Sequence, residues 1–179
     1  MSYRMACEKT DKIAGIAAVV ASMSEDLISI CSPKTSIPVF IIAGTDDPLV
    51  PYDGGEIVIF NKTYGNVISF NETVDFWISN NNCDTTPIVE YLPDNDPNDS
   101  VIVRSEEYLN GDNDSKVLFY EMQGGGHIWP GGPQYYPEWL IGKTCGDIDA
   151  NEEILNFFNI IKDDIIFDDE WDMNNHPIH

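Results

Sequence analysis

Two stretches of the chain are apolar on consecutive positions rather than alternate ones. Ile13–Ala21 is small and apolar on both faces, and Pro38–Ala43 (PVFIIA) repeats the pattern and stops at Gly44. A strand without a polar face is one buried on both sides, as in a parallel sheet. Asn66–Asn80 instead carries Val67, Phe70, Val74, Trp77 and Ile78 at helical spacing, which predicts an amphipathic helix. Asp149–Ile161 predicts another, with Asp149 as N-cap and Ile154, Leu155, Phe158 and Ile161 on its apolar face. Ile88–Leu92, Val101–Tyr108 and Lys116–Met122 read as strands, the last two joined by the turn residues Asn110, Gly111, Asp112, Asn113 and Asp114. Ser2–Lys12 reads as a short helix with no capping residue ahead of it. Strands interleaved with helices give an α/β class.

Composition fits one folded domain over 1–162, followed by an acidic tail over 163–179. Of the 179 residues, 42% are hydrophobic, enough for a real core. Nine basic residues against 31 acidic ones leave a net charge of −22. Such a surface repels phosphate backbones and anionic headgroups, so no nucleic-acid or membrane partner is expected. Solubility is the plainest meaning of the charge. No apolar run approaches the roughly 20 residues that span a bilayer. The opening Met1-Ser2-Tyr3-Arg4 is not that of a signal peptide. Cys7, Cys31, Cys83 and Cys145 contain no Cys-x-x-Cys pair. They permit three pairings, and free buried thiols are an equal alternative.

Chemistry concentrates in two loops that follow strands. One runs Gly44-Thr45-Asp46-Asp47-Pro48-Leu49-Val50-Pro51-Tyr52; the other runs Gly124-Gly125-Gly126-His127-Ile128-Trp129-Pro130-Gly131-Gly132. Open α/β sheets hold ligands beyond the carboxyl ends of their strands. A carboxylate and a histidine at two such ends can meet, the acid orienting the imidazole and the imidazole moving a proton. The glycines would let the backbone turn and the ring point into a cleft. A capped turn and a surface histidine are the plainer alternatives.

These motifs resemble the α/β-hydrolase esterases of the polyhydroxybutyrate depolymerase and feruloyl esterase type. The resemblance rests on Met1-Ser2-Tyr3-Arg4-Met5-Ala6-Cys7-Glu8, Pro38-Val39, Gly44–Gly55, Phe76-Trp77 through Cys83, and Gly124–Gly132. It covers nearly everything except the tail. It implies a partial α/β-hydrolase fold: the C-terminal strands and helices of a mostly parallel sheet. It also implies Asp47 as catalytic acid and His127 as catalytic base, with Asp46 at the motif's variable position. Tyr52 and Trp129 are the expected substrate contacts, and the substrate is a small-molecule or polymeric ester. The family's Gly-x-Ser-x-Gly-Gly nucleophile elbow would lie just before Met1, so the chain reads as a C-terminal portion lacking that serine. The family also suggests secretion.

Several expectations follow. Without a neighbouring strand, Ile13–Ala21 is an apolar edge, which predicts self-association. Ser2, Ser22 and Ser24 are candidate replacement nucleophiles, each read more simply as a cap or surface residue. Asp94–Asp99 alternates oxygens like a calcium loop, but Ser105 stands where the bidentate glutamate belongs, so no metal is expected. No phosphate loop or dinucleotide fingerprint is present, so no cofactor is expected. Trp129, Tyr135, Tyr136 and Trp139 suit either an aromatic acyl pocket or the loop's own core. The tail histidines His176 and His179 suit a solvated end. Sequons at Asn61, Asn71, Asn98 and Asn113 matter only on a eukaryotic secretory route.

Overall fold

The fold is described from a computed structural model over residues 1–159. Ile161 and the acidic tail, with His176 and His179, lie outside the described residues. A central sheet has the order β1-β2-β7-β6-β5, formed by Ile16–Val19, Val39–Gly44, Val117–Gln123, Ile102–Tyr108 and Ile88–Tyr91. A separate hairpin is formed by β3 (Gly55–Ile59) and β4 (Lys62–Val67). Among the described residues the helices are α1 (Ser2–Glu8), α2 (Glu25–Ile28), α3 (Phe70–Asn81), α4 (Glu138–Ile141) and α5 (Ala150–Phe157).

β2 is the spine, and every one of its residues is buried. Val39, Ile41 and Ala43 point into a core with Tyr3 and Ala6 of α1 and Phe70, Val74 and Trp77 of α3. Phe40 and Ile42 point the other way, against Val103, Tyr120 and Met122 of the sheet and Phe157 of α5. The consecutive apolar run therefore reflects two cores, one on each face. Burying a Phe, Ile or Val side chain contributes on the order of 1.5–3 kcal/mol, so this strand holds both layers together.

The sheet is mixed rather than mostly parallel. β1 pairs β2 and β2 pairs β7 in parallel, whereas β7–β6 and β6–β5 are antiparallel. The connection from Tyr108 to Val117 explains part of this. A parallel crossover needs about a dozen residues or more, and this link is a turn instead. Its chain reversal includes left-handed backbone at Asn110, Asn113 and Asp114.

Several boundaries also move. The helix expected from Asn66 starts at Phe70, because Ser69 and Glu72 form a capping box and Val67 belongs to β4. The first helix ends at Glu8 rather than Lys12. The first strand shortens to Ile16–Val19, ending where Val20 takes φ +46°, a conformation β-branched residues avoid. The hairpin, α2 and α4 had no counterpart in the sequence reading. Cys7 and Cys31 form a disulfide that ties α1 to the segment after α2, while Cys83 and Cys145 are free and buried. Burial pushes the Cys145 thiol up to about 11.

Candidate functional site

β2 and β7 are parallel neighbours, with Gly44 opposite Met122, so the loops that follow them leave the same end of the sheet. They are stitched together backbone to backbone. Thr45 N donates to Met122 O at 3.0 Å, and Asp46 N donates to Gly125 O at 3.0 Å. Gly124 N donates to Thr45 Oγ1 at 2.8 Å. A Cβ on Gly44 would lie 2.3 Å from Gly125 O. A Cβ on Gly126 would lie 2.3 Å from Ile141 O and 2.4 Å from Gly142 Cα. Gly44 and Gly126 therefore serve close approach of main chains rather than freedom of the histidine ring. Gly126 N and His127 N donate to Lys143 O and Ile141 O, which fixes the loop from its other side.

This framework brings Asp47 and His127 together. Asp47 Oδ2 lies 2.8 Å from His127 Nδ1. Asp47 Oδ1 accepts from Leu49 N and Val50 N, both at 2.8 Å. The Asp47 side chain is fully buried and that of His127 is 30% exposed. A buried carboxylate with two main-chain donors is fixed in orientation, and hydrogen bonds to a charged group contribute roughly 1.5–3 kcal/mol each. Nε2 of His127 has no hydrogen-bond partner among the described residues. The arrangement can hold one imidazole tautomer, with the outer nitrogen open to accept a proton.

Asp46 is distinct: its carboxylate is exposed and accepts from Thr45 Oγ1 at 3.2 Å. Trp129, two residues after His127, is 40% exposed. Tyr135, Tyr136 and Trp139 are exposed as well, so these aromatics do not form a buried core for the loop. Tyr52 closes the Asp47 loop. Its ring stacks on Phe70 at 5.6 Å, and its hydroxyl donates to Glu121 Oε1 at 3.0 Å. Burial, reinforced by the Glu121 charge, pushes the Tyr52 phenol well above its ordinary pKa. Sequence reasoning missed Thr45, Glu121 and Arg104 around the Asp47 loop. Nothing in their local pattern separates them from ordinary loop and strand polar residues.

None of the candidate replacement serines hydrogen-bonds to His127. The Ser22 hydroxyl donates to Ile68 O and lies 2.8 Å from Thr73 Oγ1. Ser24 caps α2, and Ser2 lies in the first turn of α1. The carboxylates of the Asp94–Asp99 loop are largely spent on main-chain N–H groups: Asp96 accepts from Asn98, and Asp99 from Val101 and Gly146. No three His, Cys, Asp or Glu side chains among the described residues converge to hold a metal ion.

Comparison with known proteins points to esterases. The chain is 29% identical over 163 residues to a protein of Nocardia uniformis subsp. tsuyamanensis named "Putative esterase NocK". The match covers 88% of this chain and 47% of that protein, so the chain spans about half the length of this relative. The chain thus has a distant, esterase-like relationship over most of its length. No family model matches the sequence. No solved structure matches the fold. Among the described residues, no helix is long and apolar enough to cross a membrane.

Proposed function

We propose that the chain carries the acid–base half of a carboxylic-ester hydrolase. Asp47 holds the His127 imidazole through Nδ1, and Nε2 takes the proton of the attacking oxygen and returns it to the leaving alcohol. The observation that carries this reading is the 2.8 Å contact between a fully buried Asp47 carboxylate and a partly exposed His127 ring. The esterase relative supports the reaction class. The partial α/β-hydrolase reading of the fold rests on the parallel β1-β2-β7 core with both loops at one end, together with the motif resemblance. The substrates are esters with short-chain or aromatic acyl groups. The exposed Trp129, two residues after His127, offers an apolar contact for them.

The attacking oxygen in this reading is water or a hydroxyl that no described residue places on His127. β1 is an edge of the sheet. Its Ile16 and Val20 amides donate to Pro38 and Ile42 carbonyls, which turns the backbone groups of Ala17 and Val19 to the open side. This edge favours a second reading, a catalytically silent domain that pairs with another chain through β1. Turnover of an activated aryl ester, measured for the wild type and His127→Ala, separates the two. The catalytic reading expects hydrolysis that falls about 100-fold in the variant. Equal rates would refute it. Gel filtration over a range of concentrations reads the self-association directly, and a monomer throughout would exclude pairing through β1.

A further inference from the structure

The Asp47 loop is held at both ends by β7 and the His127 loop that follows it. At its start, Thr45 and Asp46 bond to Gly124 and Gly125 beyond β7. At its end, the Tyr52 hydroxyl donates to Glu121 Oε1, on β7 itself. Glu121 is no ordinary surface acid. Its side chain is 17% exposed, and Arg104 Nη1 from β6 and Gln123 Nε2 also donate to its Oε2, at 3.4 and 3.2 Å. Arg104 is anchored in turn on Glu106. The carboxylate is therefore fixed between a neighbouring cation and an amide donor, which makes it a firm acceptor.

We infer that Tyr52, anchored on Glu121, is a positioning residue for the Asp47–His127 pair rather than a contact for the substrate. The inference rests on the acid–base reading of that pair. The chain between Asp47 and Tyr52 is short, and Asp47 takes its orientation from Leu49 N and Val50 N within it. Losing the Glu121 bond loosens the far end of those two donors, which the Phe70 N to Tyr52 O hydrogen bond at 3.0 Å still tethers to α3. The carboxylate then loses its alignment with Nδ1, while the ring of Tyr52 stays stacked on Phe70. The phenol is protonated at neutral pH and burial raises its pKa further, so towards the Glu121 carboxylate it is the donor.

Three variants test this: Tyr52→Phe and Glu121→Leu, which remove the bond, and Glu121→Gln, which keeps an oxygen acceptor. The first readout is the His127 Nδ1 proton resonance in the free protein, and the second is the split between kcat and KM on an aryl ester. The expected result is a broadened, fast-exchanging Nδ1 proton in the two loss variants and a sharp one in Glu121→Gln. With it comes a fall in kcat of about tenfold at nearly constant KM in Tyr52→Phe, below the roughly 100-fold that a 1 Å misplacement can cost. An unchanged resonance in both loss variants overturns the inference, as does a raised KM with unchanged kcat. The resonance needs no turnover, so a chain that hydrolyses no ester would refute the catalytic reading while the positioning claim is still decided. Circular dichroism at the assay temperature confirms that each variant is folded.

Discussion

Asp47 and Asp147 are two buried carboxylates built alike and used differently. Each spends Oδ1 on two successive main-chain donors: Leu49 N and Val50 N for Asp47, Asn95 N and Asp96 N for Asp147. They part at the second oxygen. Oδ2 of Asp47 meets the Nδ1 of a half-open histidine. Oδ2 of Asp147 is buried with no partner among the described residues. The first carboxylate can stabilise a charge that forms and disappears on an imidazole. The second can only tie the Asp94–Asp99 loop to the segment ahead of α5. A buried acid held by backbone donors is thus no sign of chemistry in itself; what its free oxygen faces decides the matter.

The largest separation between the two should appear in turnover. Asp47→Asn keeps an oxygen for Leu49 and Val50 but sets an amide against Nδ1, which favours the wrong tautomer. A loss of roughly 10²–10⁴-fold in kcat on an aryl ester is expected. Asp147→Asn should leave kcat within about threefold of the wild type, because it touches no part of the His127 loop; a drop as deep as that of Asp47→Asn would erase the contrast.

Stability is where Asp147 should register. Asp147→Ala removes two charge-assisted hydrogen bonds and strands the Asn95 and Asp96 amides, a cost of about 3 kcal/mol in urea unfolding. A cost below about 1 kcal/mol would show that the loop does not depend on Asp147. Asp147→Asn is milder, because it retains the Oδ1 acceptor and removes a buried carboxylate whose Oδ2 has no partner among the described residues. A change within about 1 kcal/mol of the wild type is expected.

The smallest effect concerns Asp94. Slight desolvation and the charges of Asp147, Asp99 and Asp96 hold its carboxyl above the ordinary carboxylate pKa. An acid whose pKa is raised in the folded state favours folding when protonated. That contribution is present below the unfolded pKa, about 3.9, and is lost as pH rises through the folded value. Asp94→Asn should therefore raise the melting temperature slightly at pH 7, and less so in high salt, and leave it unchanged near pH 3. A variant that melts lower at pH 7 would contradict this sign.

What the sequence revealed follows from how each element is stabilised. β2 and α3 announce themselves because burial on two faces, or on one helical stripe, leaves a periodic trace. The Asp47 and His127 loops stand out because close main-chain contact demands glycine at Gly44 and Gly126. The β3–β4 hairpin leaves no such trace. β4 is exposed at all but Val67, and its turn places Phe60 and Asn61 at positive φ without the Asn-Gly or Asp-Gly pair that usually marks it. Tyr52 stands in the Asp47 loop, and its bond to Glu121 some seventy residues away appears only in the third dimension. Asp147 escaped notice for the same reason: its partners lie some fifty residues earlier in the chain.

The tautomer of His127 bears most directly on the central claim. Long-range ¹H–¹⁵N correlation of the neutral imidazole should show the proton on Nδ1 and a bare Nε2. A ring that carries its proton on Nε2, or exchanges evenly between the two nitrogens, would contradict a buried Asp47 that holds it ready for proton transfer.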